Sequence, residues 1–285
     1  MSSPQAVNDG CLEKQSTSGW EAQLDLTFTS RPDKTVLSKR QQRGPLAVQR
    51  AFYPEGDICH LYILHPPGGV VGGDKLRINV DVQERAQALL TTPGATKFYK
   101  SQGYVAYQEQ AIKVDNDASL EWLPQENIYF PGAKAQMRTQ INLAETARFI
   151  AWETHCFGLP ANEKEFTEGQ LRLDFSLSRN DRPIVIERMN INQDRLMSVT
   201  GLRGNSVMAM FVAAPANSDM LTLARTVLED YSNLLLAATL VEDCLLIRYL
   251  GNSTAQCRTI FTKLWVVLRP MILEREASAP RIWAT

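Results

Sequence analysis

The sequence has no long hydrophobic run. Its longest apolar stretch, LLLAA at 234–238, is far shorter than a bilayer span, and the first twenty residues hold no apolar core of signal-peptide length. The expected location is therefore cytoplasmic. Nor is there an excess of either charge: 30 Lys and Arg stand against 31 Asp and Glu, which excludes the electrostatic footprint of a nucleic-acid binder and offers nothing to a membrane surface. Cysteine is sparse. The five residues (11, 59, 156, 244, 257) include no CxxC pair, so reduced structural thiols without disulfides are expected. The serine-nucleophile pattern GxSxG is absent too.

The 285 residues suffice to bury roughly three quarters of the unfolded surface without covalent staples. Residues 1–18 are polar and read as a disordered tail. From Trp20 to about residue 215 the chain is a series of short β-branched and aromatic segments broken by Pro, Gly and Asn, among them AQLDLTFT, CHLYILH, KLRINVDV, ARFIAWETHCF and PIVIERMNI. Strict alternation in QLRLDFSLS puts Leu171, Leu173, Phe175 and Leu177 on one face. TTPGAT has the residue order of a type II turn. The last seventy residues change period: a long helix is expected over about 219–241 behind Ser218 or Asp219, then the strand CLLIRYLG, then a second helix opened by Ser253 and Gln256 as a capping box. Pro270 is expected to end or kink it. The reading is a single domain over 19–285, with a β body to about 215 and a helix-containing part from 216.

One stretch, LHPPGGVVGGDKL, concentrates Gly68, Gly69, Gly72 and Gly73 ahead of Asp74. It is not a phosphate loop, because the position that GxxxxGK[ST] gives to lysine holds a carboxylate, and GxGxxG spacing is missing. Glycines so placed serve positive φ angles or close backbone approach. The adjacent pairs Cys59–His60 and His155–Cys156 resemble metal ligands, yet neighbours on a strand point to opposite faces and cannot close on one ion. Asp74, Glu153 and Glu187 all lie in or beside strand-like segments, and composition does not select a pair among them for acid–base work. Glu187 ends the apolar run PIVI and precedes Arg188. His65 has no spaced partner.

Taken together, LHPPGGVVGGDKL, TTPGATKFYKS, LPQENIYFPGA, WETHCFGLPANEKEFTEG and the tail from RYLG through LWVVLRPMILEREASAPRIWAT closely resemble the UreD (UreH) family of urease accessory proteins. The resemblance runs from about Trp20 to Thr285. It implies a mainly β fold of stacked sheets like a β-helix with two helices near the C-terminus, no catalysis of its own, and partnership with UreF, the GTPase UreG and apo-urease during nickel loading. No tightly bound cofactor is implied, only a nickel ion in transit. Many relatives carry an arginine after the glycine and a GE pair in the middle motif, whereas this chain has Gly158, Leu159 and then Asn-Glu-Lys-Glu from Asn162.

In the family, nickel is thought to pass through an internal channel lined by the acidic residue of the GGD motif and by a later glutamate. Those positions match Asp74 and Glu187. Oxygen ligands suit such a task, being weaker for nickel than thiolate or imidazole, and a conduit must release what it attracts. Ile282 and Trp283 near the end of the chain are candidates for partner contact. Two other readings accompany this one: a β-rich hydrolase using Asp74, Glu187 and His65, and a structural adaptor that touches no metal, in which Asp74 only fixes the glycine loop.

Overall fold

Alternating apolar and polar residues set the architecture of the computed structural model, which describes residues 19–284. The expected tail, 1–18, and Cys11 lie outside the described residues. A hairpin of β1 (Glu21–Ser30) and β2 (Thr35–Arg43) comes first, followed by β3 (Ala47–Val48) and β4 (Cys59–Leu64). The chain then winds in coils: β5 (Lys75–Val82), β6 (Gln87–Thr91) and β7 (Thr96–Phe98) make one, and β8 (Ala106–Val114), β9 (Ser119–Leu123) and β10 (Asn127–Tyr129) the next. Strands β11 (Lys134–Leu143), β12 (Arg148–Phe157), β13 (Gln170–Arg179) and β14 (Arg182–Ile191) continue the stack. The C-terminal part comprises α1 (Gln193–Met197), β15 (Val207–Ala214), α2 (Ser218–Glu229), β16 (Leu235–Val241), β17 (Cys244–Gly251) and α3 (Thr254–Leu273).

Each coil gives one strand to each of two sheets. One sheet has the order β14-β13-β11-β8-β5-β1-β2 and the other β16-β17-β15-β12-β9-β6-β4-β3, while β7 and β10 pair beside β12. The fold is a β-solenoid with parallel neighbours through its middle: Arg77, Glu109, Arg138 and Asp174 occupy one in-register row. The spacing between these positions changes from coil to coil, so stacking leaves no fixed period in the sequence. Aromatic residues stack along the same axis, with Tyr129 between Phe98 at 4.9 Å and Phe157 at 5.7 Å.

Two cores result. One fills the space between the sheets, and the four buried residues of QLRLDFSLS belong to it. The other joins the outer face of the longer sheet to α2 and α3. β12 serves both, which is why it is buried along almost its whole length. Parallel strands covered on both faces lose the polar half of the alternating pattern.

Several expectations are corrected. The helix expected over 219–241 stops at Glu229 under an Asn217 cap, and Leu235–Val241 is instead an edge strand paired with β17. A turn at residues 230–234 separates the two, and exposed alternate residues in β16 fit a strand better than a helical stripe. Pro270 does not end the second helix, which runs to Leu273; its Ser253 cap accepts the Gln256 N–H as the capping pattern expects. Gly94 is absent from the residues with positive φ, so Pro93–Gly94 is not a type II turn. β2, β7, β10, β11 and β15 are strands outside the expected segments: β2 is a polar edge strand, and β11 alternates residues such as Gln136, Arg138 and Gln140 with its buried set. The four described cysteines are free and buried, and burial raises their thiols, to about 11 for Cys59 and about 12 for Cys156, Cys244 and Cys257. No helix is long and apolar enough to cross a membrane among the described residues.

Candidate functional site

The glycine loop joins β4 to β5. Gly68 and Gly73 adopt positive φ, 76° and 98°, while a Cβ on Gly69 would meet the Tyr99 ring and one on Gly72 the Tyr104 carbonyl at 2.6 Å. All four positions therefore exclude ordinary side chains. Asp74, only 6% exposed, closes this loop: Oδ1 accepts the Trp20 N–H at 2.9 Å and Oδ2 the Val71 N–H at 2.9 Å. It makes no salt bridge among the described residues. Its charge is felt by His65, whose imidazole is held below its ordinary value by burial, with Asp74 acting in the opposite direction.

Gly68, Gly69 and His65 line a cavity of about 490 Å³ that enters between the sheets. Asp74 is one loop turn away and does not line it. The far wall carries an unusual set of groups for a protein interior. Gln108, Gln110, Asn127 and Glu153 line it, and together with Thr139 and His155, which lie beyond the lining, these buried groups form a polar seam through an otherwise apolar core. Glu153 is its only carboxylate. The Thr139 hydroxyl donates to Glu153 Oε1, His155 Nε2 lies 3.5 Å from Oε2, and His155 Nδ1 is 3.1 Å from the Tyr129 hydroxyl. Burial first, and the charge of Glu153 second, hold the Tyr129 phenol well above its ordinary value. No Lys or Arg reaches Glu153 among the described residues.

Glu153 and Met137 also line a second cavity, of about 210 Å³, on the side of β14, β15 and β17. The two spaces thus share a wall at these residues. Glu187 lies on the second space, where Arg248 donates to its Oε1 through Nε at 3.0 Å and through a closer contact from Nη2. The ion pair is with Arg248 on β17, not with the sequence neighbour Arg188. Glu187 is more than one-third exposed, so it marks a mouth and not an interior point.

Asp74 and His65 meet at the glycine loop, and Glu187 sits at the opposite mouth, so the three residues of the hydrolase reading do not line a common cavity. Glu153 was visible as one of three strand carboxylates but was not singled out. The signal was available, since a carboxylate in the middle of ARFIAWETHCF must be buried whichever face it takes. Met137 and Arg248 carried no comparable mark. The Cys59–His60 and His155–Cys156 pairs do split across faces: His155 joins the seam, whereas Cys156 belongs to the helix-covered core. No cluster of three or more His, Cys, Asp or Glu fit to hold a metal occurs among the described residues.

Trp283 packs inward. Its ring lies 5.5 Å from those of Trp152 and Trp265, and its N–H donates to Thr91 Oγ1 at 3.1 Å. Ile282 beside it is half-buried.

The chain matches the family model described as UreD urease accessory protein over residues 21–284. A protein named urease accessory protein UreD from Alcanivorax borkumensis is 44% identical, the match covering 94% of this chain and 93% of the relative. Proteins of the same name from Aliivibrio fischeri and Citrobacter koseri are 41% and 38% identical, covering 95% and 100% of this chain and 98% and 100% of theirs. By this extent of matching, the chain belongs to the UreD family of urease accessory proteins.

Proposed function

We propose that this chain is a non-catalytic urease maturation factor that joins UreF and the GTPase UreG to apo-urease and lets nickel pass between its two sheets. The observation that supports this reading best is the meeting of two cavities at Glu153. A carboxylate buried with a hydroxyl and an imidazole beside it and no Lys or Arg among the described residues is costly to keep charged unless something compensates it. A passing divalent ion with part of its hydration shell would do so, and the surrounding Gln, Asn and Thr side chains supply the neutral oxygen donors that let water exchange around it.

In this reading the residues have different tasks. Glu153 attracts the ion at the narrow point between the spaces. Glu187, half neutralised by Arg248, presents a carboxylate at one mouth. Asp74 acts at the other end by holding the glycine loop and by its negative charge near His65, both its oxygens being engaged by backbone N–H groups. That engagement also favours the adaptor reading for Asp74 alone.

The test is activation of purified apo-urease with UreF, UreG and nickel, with and without this chain, counting nickel bound to urease. Delivery that needs the chain supports the reading. Equal delivery without it would remove the role in nickel transfer, and failure of the chain to co-purify with UreF and UreG would remove the scaffold.

A further inference from the structure

The smaller cavity has a second chemical character that nickel passage does not use. Four of the eight methionines in the chain, Met137, Met189, Met208 and Met210, line it together with His155 and Glu153. They come from both sheets. Met208 stands directly opposite His155 and Met210 directly opposite Glu153 in the antiparallel pairing of β12 with β15, so each pair projects on the same face with neighbouring Cβ atoms. Met189 approaches from β14. The Met137 sulfur is already 3.6 Å from the donors of Asn127 and Tyr129, so the proposed ligands are the other three thioethers on this cavity.

Methionine often fills irregular core space, but here the space between the thioethers stays open. We propose that this cavity is a binding site for a soft monovalent cation, copper(I), with Met189, Met208, Met210 and His155 as ligands. Thioether sulfur selects copper(I) over divalent nickel. His155 Nδ1 is engaged by Tyr129, so Nε2, now 3.5 Å from Glu153 Oε2, is the nitrogen that would exchange the carboxylate for the ion, the kind of orientation that outer-shell partners impose on ligand imidazoles. One positive charge is also what the site needs: Glu153, Asp174 and Glu187 on its walls stand against Arg188 and Arg248, and no guanidinium or ammonium pairs with Glu153. The inference goes beyond the nickel reading: its ligand atoms are different, and only the charge of Glu153 is common to both.

The experiment is an anaerobic copper(I) titration of the full chain against a chromophoric copper(I) chelator, in a Cys11→Ser background so that no thiol outside the described residues contributes. Wild-type methionines are compared with Met208→Leu, Met210→Leu and the Met189→Leu/Met208→Leu/Met210→Leu variant, each checked for folding by its thermal melt. Leucine keeps volume and removes sulfur. The expected result is one tightly held copper(I) per chain, weakened at least about tenfold by either single change and lost in the triple variant, with an X-ray absorption edge of thioether and imidazole ligation. Equal uptake by all folded variants, uptake by thiolate only, or no uptake by the wild type would overturn it. If the triple variant does not fold, the single changes decide. Urease plays no part in this titration, so its failure and a failure of nickel transfer are separate results.

Discussion

Glu121 on β9 and Glu153 on β12 are buried carboxylates on adjacent strands of one sheet, and they are treated in opposite ways. Glu121 faces α3, where Arg269 makes three hydrogen bonds to its two oxygens at 3.0–3.2 Å and the Trp265 N–H adds a fourth. The same guanidinium grips Glu55 at 2.8 Å through two nitrogens, and Glu55 in turn meets His60 at 2.7 Å. Arg269 is fully buried and its donors are spent on these carboxylates and on the Glu276 carbonyl. Glu153, by contrast, has a hydroxyl, an imidazole and an open cavity. A buried charge that is fully paired holds a helix to a sheet; one left with space beside it is available to an ion.

The comparison breaks most visibly at Arg269. Arg269→Met leaves Glu55 and Glu121 buried without their partner, and an expected loss of about 3–5 kcal/mol follows, measurable by chemical denaturation. Asp74→Ala comes next, stranding the N–H groups of Trp20 and Val71 at about 1–3 kcal/mol, with faster hydrogen exchange at those two amides as the signature. Trp283→Ala removes a half-buried ring from between two tryptophans and is expected to cost about 2 kcal/mol. If its main effect were instead on partner binding with stability unchanged, the inward packing would not be its role.

Acid sharpens the same contrast. Burial pushes Glu55 up, but hydrogen bonds from His60 and Arg269 and the charges of both outweigh it and leave the carboxyl below its ordinary 4.5. A depressed folded value means stability that is complete above the unfolded value and lost as pH falls through the folded one. Glu121 acts the other way, since burial holds its carboxyl above its ordinary value, so only the Glu55 part of the cluster makes the melting temperature decline below about pH 4.5, and this decline should be shallower in Arg269→Met. Equal acid slopes in the two proteins would show that the Glu55 cluster is not the acid-sensitive element.

The residues that were legible in the sequence are those whose neighbours are close in the chain. β13 announced its inner face through Leu171, Leu173, Phe175 and Leu177, and α3 announced its start through Ser253 and Gln256. The overlong second helix failed because Leu235 and Leu236 continue an apolar count while the backbone has already turned at Tyr231–Leu234. β2 stayed hidden because an exposed edge strand needs no hydrophobic face. The tight glycine loop was legible since a loop's backbone demands are local, and Asp74 closes that loop without lining the cavity. The cavities were not: Met137, Glu153, Glu187 and Arg248 are brought together only by stacking of coils and by the return of β15 and β17, which no local pattern encodes.

The central claim is that the charge of Glu153, and not its packing, serves nickel transfer. Glu153→Gln keeps the acceptor for the Thr139 hydroxyl and should change stability by no more than about 1 kcal/mol, the smallest effect of the set. In the assembled complex with UreF, UreG and apo-urease, nickel counted in urease should then fall toward the level reached without this chain while the complex itself stays intact. Wild-type nickel content delivered by the Glu153→Gln complex would contradict the account.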